Sequence, residues 1–217
     1  FGKPDWYTVP VYVADMVTLV ARLGVESIDW IGTSMGGIIG MVFAATPGNP
    51  IRRLVVNDIG PEISEAGLQR IGGYVGNIPT FASFDEAERA LRLLMVDFGP
   101  HDDAQFRVLS RHYIVERDGR WTYHYDPAIA QAFHAAQSGG PAVPLWPLWD
   151  AIKGPALVVR GTRSDILSTE VARQMAQRGP RAQLYEVEGV GHAPTLIADD
   201  QIAAVERFLI NDRVQGD

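Results

Sequence analysis

A short glycine-rich turn between a strand and a helix is the feature that most restricts the fold of this chain. The turn, Gly32-Thr33-Ser34-Met35-Gly36-Gly37, follows an apolar segment at 25–31 and precedes another at 35–45. The first segment has the length of a strand, whereas the second has the length of a buried helix and ends at Pro47-Gly48. A strand, a tight turn and a helix in this order predict one unit of a parallel α/β sheet.

The same alternation of strands and helices occurs on both sides of a long central block. Strands separated by helices predict a mostly parallel sheet with helices on both faces. The predicted strands cover residues 25–31, 51–57, 156–160 and 182–187. The predicted helices cover residues 10–23, 35–45, 168–178 and a last segment capped by Asp199 or Asp200.

The central block breaks this alternation and has a helical pattern instead. Ser83 and Glu86 form the pattern of a capping box, and Asp102 or Asp103 is suited to cap a further helix. The stretch Ser138-Gly139-Gly140-Pro141 predicts a flexible boundary. We therefore predict an α/β core formed by residues 1–60 and 147–217, with a helical insertion at 61–146.

Composition excludes several kinds of function. The net charge is -7, with 19 Lys and Arg against 26 Asp and Glu, and the basic residues do not cluster as phosphate binding requires. The chain has 0 Cys, which excludes disulfides and thiolate chemistry. No apolar run reaches the roughly 18 residues of a membrane span. No nucleic-acid partner, membrane span, metal or organic cofactor is expected, and a cytoplasmic location is the simplest expectation.

Ser34 is the predicted nucleophile, because it occupies the centre of a G-x-S-x-G turn between strand and helix. A serine hydroxyl needs such a position to meet a base above the sheet edge, and Gly32 and Gly36 would prevent clashes in the turn. The N–H of Met35 then opens the helix and is expected to stabilise an oxyanion. A plain glycine-rich turn is the alternative reading of these residues.

Two loops after later strands supply a predicted acid and base. Asp165 follows the strand at 156–160, and His192 follows the strand at 182–187. The carboxyl ends of parallel strands meet at one edge, so these side chains are expected beside Ser34. Asp58 follows the strand at 51–57 and is the alternative acid. The other histidines have no metal-ligand spacing and are interpreted as surface, packing or pocket-lining groups.

These motifs resemble those of the α/β-hydrolase family, in the same chain order. The resemblance rests on the turn at 32–37, the loop Gly161-Thr162-Arg163-Ser164-Asp165 and the pair Gly191-His192, and it covers essentially the whole chain. It implies that the four strands correspond to strands five to eight of the family's sheet. It also implies that the block at 61–146 is the helical cap that the family inserts after strand six.

The chain also differs from the family, because family members have further strands and an oxyanion loop before the helix that corresponds to residues 10–23. The second oxyanion donor is expected from that loop. We therefore expect a fragment, or a sheet completed by an N-terminal segment or a second chain. If the 217 residues are the whole product, we expect an inactive protein or a dimer that pairs at the exposed strand edge.

The resemblance implies a serine hydrolase that cleaves a carboxylic ester of a small to medium substrate through an acyl-enzyme. Lactonases, C–C bond hydrolases and perhydrolases share this pattern, and a non-catalytic binding protein or remnant is the alternative of another class. Aromatic side chains of the insertion are expected either to line the substrate pocket or to pack it against the sheet. These residues include Trp121, Tyr123, Tyr125, Phe133, Trp146 and Trp149.

Overall fold

A four-stranded parallel sheet forms the centre of the computed structural model, which describes residues 2–138 and 143–210. The strand order is β1-β2-β5-β6, and every neighbouring pair is parallel. This confirms the predicted fold class. The strands are β1 (Ile28–Thr33), β2 (Ile51–Asn57), β5 (Ala156–Gly161) and β6 (Gln183–Val187).

Helices cover both faces of this sheet because its central strands are apolar on both sides. Leu54 and Val56 of β2 contribute to one buried cluster, whereas Val55 between them contributes to another. Such alternation follows from the period of two in a strand, which points successive side chains to opposite faces. Helices α2 (Met35–Ala44), α7 (Trp146–Ala151) and α8 (Thr169–Gln177) pack on the first face. Helix α9 (Asp199–Ile210) packs on the second.

Four helices of the sheet region agree with the predicted ones to within a residue or two, and a fifth, α7, was not predicted. The five are α1 (Val9–Leu23), α2 (Met35–Ala44), α7 (Trp146–Ala151), α8 (Thr169–Gln177) and α9 (Asp199–Ile210). Helix α9 begins at Asp199, so Asp199 and Asp200 lie in its first turn instead of capping it.

The block between β2 and α7 contains a strand pair as well as helices. Its helices are α3 (Glu65–Gly72), α4 (Phe84–Leu94), α5 (Asp103–Tyr113) and α6 (Ile129–Ser138). Strands β3 (Ile114–Arg117) and β4 (Arg120–Tyr123) form an antiparallel hairpin. Its turn, Asp118-Gly119, has positive φ angles of 50° and 71°, as a two-residue hairpin turn requires. The predicted boundary at Ser138–Pro141 falls mostly outside the described residues.

Side-chain caps begin the helices of this block largely as predicted. Asp102 and Gln105 form a capping box at the start of α5. Ser83 accepts the N–H of Glu86 at the start of α4, but the Glu86 carboxylate accepts the N–H of Ala82 instead of that of Ser83. Both helices therefore satisfy N–H groups that have no partner within the helix.

The inserted block rests directly on the loops at the carboxyl end of the sheet. A 3-10 turn at Val96–Phe98 brings the carbonyl of Asp97 within 2.6 Å of the N–H of Gly191. His101 lies 2.7 Å from the Thr195 hydroxyl. The block therefore contacts the loop of the predicted base, His192, at residues before and after that histidine in the sequence.

Strand β1 lies at one edge of the described sheet and pairs with β2 on its other side. Ile31 on this strand is 49% exposed. A further segment or second chain along this edge remains a prediction. No helix in the described part of the chain is long and apolar enough to span a membrane.

Candidate active site

Ser34 lies in a sharp turn whose backbone is held in an unusual conformation. Its φ is 52° and its ψ is -118°, outside the regions that non-glycine residues normally adopt. The Ser34 N–H donates to the carbonyl of Asn57, and the Ser34 carbonyl accepts the N–H groups of Gly37 and Ile38. Such a conformation costs on the order of 1–3 kcal/mol and persists only where neighbouring structure enforces it.

Of the two glycines predicted to prevent clashes in this turn, only Gly32 has that role. A Cβ on Gly32 would lie 2.2 Å from the carbonyl oxygen of Gly36, so only glycine fits there. A Cβ on Gly36 would meet nothing within 4 Å among the described residues, so the sequence prediction of a steric role is not supported for Gly36. Gly37 is the second crowded position, because its Cβ would lie 2.4 Å from Ile59.

His192 connects the hydroxyl of Ser34 to a buried carboxylate. Its Nε2 lies 2.9 Å from Ser34 Oγ, and its Nδ1 lies 2.8 Å from Asp58 Oδ2. The partners define the useful tautomer, in which Nδ1–H donates to the carboxylate and Nε2 accepts the serine proton. The imidazole is only 7% exposed, so bulk water has little access to this chain of hydrogen bonds.

Asp58 is fully buried at the end of β2 and is held from several directions. Its Oδ1 accepts the Gly161 N–H at 2.9 Å, and its Oδ2 accepts the Ser164 hydroxyl at 2.6 Å. Its own N–H donates to the carbonyl of Val159. These donors compensate the loss of hydration that a buried carboxylate suffers.

The predicted acid, Asp165, does not contact His192, and Asp58 takes the place that was predicted for it. Asp165 points to Arg70 of α3 and binds that guanidinium through both carboxylate oxygens. Arg70 holds the pKa of the Asp165 carboxyl below its usual value. The reason is local: Ser164, one residue earlier, faces Asp58, and Asp165 therefore faces the inserted block.

Asn57 is a residue of the site that the sequence analysis did not identify. Its buried amide nitrogen donates to Thr33 Oγ1 at 3.0 Å and to the carbonyl of Pro194 at 2.8 Å. It therefore joins the strand end before Ser34 to the loop after His192. Its position directly before Asp58, at a strand end, was the available signal.

Two adjoining cavities open beside the site. A cavity of about 170 Å³ is lined by His192, Asp165 and Arg70, among others. A larger cavity of about 730 Å³ in the inserted block shares Leu94 and Phe98 with the smaller one. The larger cavity is mostly apolar, and its polar side chains are those of Tyr74, Asn77, His112, Tyr113, Tyr123, His124 and Tyr125.

The aromatic residues of the insertion divide between the two predicted roles. Tyr123 and Tyr125 line the larger cavity, whereas Trp121 packs edge-on against Phe84 with ring centroids 5.4 Å apart. Trp146 and Trp149 belong to the buried cluster on the face of the sheet that carries Leu54 and Val56.

The histidines other than His192 also follow the predicted roles. His112 and His124 line the larger cavity. His101 is partly buried, and this burial lowers its pKa. Among the described residues, no three His, Asp or Glu side chains converge on a possible metal position.

Comparison with known proteins gives the family. A family model described as the alpha/beta hydrolase family matches residues 1–206. The chain belongs to the α/β-hydrolase family. It is 42% identical to the 3-hydroxybutyrate-oligomer hydrolase of Cupriavidus necator over 95% of this chain and 75% of that protein.

More distant relatives and solved structures agree with this membership. An α/β hydrolase structure from Novosphingobium aromaticivorans has 39% sequence identity and a TM-score of 0.86, covering 96% of this chain and 74% of that one. The esterase YbfF of Escherichia coli is 22% identical over 94% of this chain and 75% of its own length. The names of these related proteins all describe a hydrolase or an esterase.

The glycines of the nucleophile turn give a matched pair of substitutions. We expect Gly32→Ala to lower the free energy of unfolding by about 2 kcal/mol or more, because its Cβ would meet a backbone oxygen that cannot move aside. Gly36→Ala should leave stability unchanged or raise it by up to about 1 kcal/mol, because alanine is the better helix former. Urea unfolding of both variants measures the difference, and equal destabilisation would contradict this account.

The two aspartates give a second matched pair. Asp58→Asn should lower kcat for the hydrolysis of a test substrate, p-nitrophenyl acetate, by roughly 10³-fold or more, because an amide at this position no longer favours the tautomer that accepts the serine proton. Asp165→Asn removes a partly exposed ion pair, so we expect kcat to change by less than about fivefold. Steady-state kinetics at pH 8 check this, and an equal loss in both variants would refute the assignment of Asp58.

Proposed function

We propose that this α/β hydrolase cleaves carboxylic esters with Ser34 as nucleophile, His192 as base and Asp58 as the acid that orients the base. The observation that carries the proposal is the continuous hydrogen-bonded chain from Ser34 Oγ through both ring nitrogens of His192 to Asp58. A non-catalytic binding protein would have no need to bury a carboxylate behind a histidine and a strained serine.

The geometry supports an acylation step in which the proton transfer and the nucleophilic attack occur together. The Ser34 hydroxyl transfers its proton to His192 Nε2 as Oγ attacks the ester carbonyl carbon. The resulting imidazolium is stabilised by Asp58, and the oxyanion is within reach of the Met35 N–H, which has no intrahelical partner at the first position of α2. When the tetrahedral intermediate collapses, the Nε2 proton passes to the leaving alcohol.

Deacylation uses the same groups in the same order. Water takes the place of the alcohol and gives a proton to His192 Nε2 while its oxygen attacks the acyl carbon. The C–Oγ bond then breaks, the proton returns to Ser34, and the carboxylic acid leaves.

We further propose that the substrate is an ester of a short hydroxy acid, including its oligomers. The named activity of the Cupriavidus necator relative supports this choice, since that relative is 42% identical over most of the chain. The cavities support it as well. The small cavity at His192 suits one short acyl unit, whereas the adjoining apolar cavity gives room for the rest of an oligomer.

Replacing the nucleophile tests the chemistry. We expect Ser34→Ala in the full-length protein to lower hydrolysis of p-nitrophenyl acetate by roughly 10³-fold or more, because the acyl-enzyme cannot form. A fluorophosphonate probe should label the wild type and not this variant. Ser27→Ala, an exposed serine before the opposite end of β1, is the control and should behave as wild type.

Unchanged turnover in Ser34→Ala would refute the assignment of the nucleophile. A folded wild type that the fluorophosphonate does not label would instead favour a binding role.

Filling the larger cavity tests the substrate. Ala90 of α4 lines this cavity, so Ala90→Trp should lower kcat/KM for the 3-hydroxybutyrate trimer at least tenfold more than for p-nitrophenyl acetate. Arg89→Trp places the same side chain at the exposed neighbouring position and should leave the ratio of the two rates unchanged. An equal effect of Ala90→Trp on both substrates would exclude this cavity as the oligomer site.

A further inference from the structure

Ser164 makes the shortest described contact to the buried carboxylate of the site. Its Oγ lies 2.6 Å from Asp58 Oδ2, and the same carboxylate oxygen lies 2.8 Å from His192 Nδ1. One oxygen atom therefore serves both the base and the serine. A change in the charge on that oxygen is felt directly by the imidazole.

The direction of the Ser164 hydroxyl is determined by two backbone groups. The N–H groups of Ile166 and Leu167 lie 3.2 Å and 3.1 Å from Ser164 Oγ and donate to it. A hydroxyl has two lone pairs and one hydrogen. Because both lone pairs are occupied by donors, the hydrogen is left for Asp58. The hydroxyl is thus held as a donor, and it cannot rotate to accept from another group without losing these bonds.

We propose that Ser164 is a positioning residue of the active site, which fixes Asp58 Oδ2 and sets how strongly Asp58 stabilises protonated His192. This inference rests on the proposed function of Ser34, His192 and Asp58. A charge-assisted O–H···O bond withdraws negative charge from the carboxylate. Without it, Asp58 would hold the protonated imidazole more firmly, and a higher pH would be needed to free the base.

A purely structural role is the competing explanation, because Ser164 also orders the turn that leads into α8. Ser168 separates the two roles. Its hydroxyl accepts the N–H of Val171 at 3.1 Å as the cap of α8, so it supports the same segment of chain. It is exposed and makes no contact with Asp58 in the described structure.

The pH dependence of kcat/KM for p-nitrophenyl acetate tests the proposal. For Ser164→Ala we expect the acidic limb to move to higher pH by roughly 0.5–1 unit, and the maximal rate to fall about tenfold, as the loss of one charge-assisted bond predicts. Ser164→Thr keeps the hydroxyl and should restore both the limb and the rate. Ser168→Ala should lose stability while keeping the wild-type pH profile.

Ser164→Cys provides a second variant in case Ser164→Ala folds poorly, because a thiol keeps the volume and donates only weakly. Its acidic limb should lie between those of the serine and alanine proteins. A wild-type limb in Ser164→Ala or Ser164→Cys would overturn the proposal, as would failure of Ser164→Thr to restore it in a folded protein. Failure of the proposed function has a different signature, since Ser34→Ala would then keep its activity whatever happens at Ser164.

Discussion

The buried carboxylate of Asp58 is the interaction on which the rest of the site depends. A charged group without exposure to water destabilises a fold by several kcal/mol unless hydrogen bonds replace its hydration. Here the replacements come from three places in the chain: the N–H of Gly161, the hydroxyl of Ser164 and the ring of His192. The end of β5 and the loops after β5 and β6 are therefore brought together by the same requirement.

The neighbouring strand β2 also constrains the backbone around Ser34 through hydrogen bonds. Asn57 ends β2, and its carbonyl accepts the Ser34 N–H while its side chain reaches the loop after His192. Asn57 thus fixes Ser34 and the loop after His192, and the next residue, Asp58, contacts His192 itself. These contacts explain how a serine with a φ of 52° is held in place.

Much of this arrangement could be predicted from the sequence, and the errors have identifiable physical causes. Strand and helix periodicity predicted the parallel sheet, and chain order predicted that Ser34 and His192 meet at one edge. The choice of acid was wrong because Asp58 and Asp165 both follow strands at that edge, and sequence alone does not show which way each side chain points. The orientation depends on Ser164 facing Asp58 and on Arg70 lying across from Asp165.

Two other errors have different causes, one in the length of the strands and one in tertiary contacts. The β3–β4 hairpin was signalled by Asp118-Gly119, but its strands have only four residues each, which is too short for periodicity to separate them from helix. Gly36 matched the motif, yet its place in the turn is sterically open, whereas Gly37 is crowded by Ile59 from another element. A motif identifies which residues are present but does not show which of them the packing requires.

A single turn of the inserted block contacts both the cavities and the loop of His192. This turn, Val96–Phe98, accepts the Gly191 N–H through Asp97, and a Cβ on Gly191 would lie 2.9 Å from that aspartate's own Cβ. Phe98 of the same turn lines both cavities. The turn that lines both cavities therefore also supports the residue before His192. Because packed interiors do not deform continuously, substitutions at this turn are expected to affect substrate choice and the geometry of the base together.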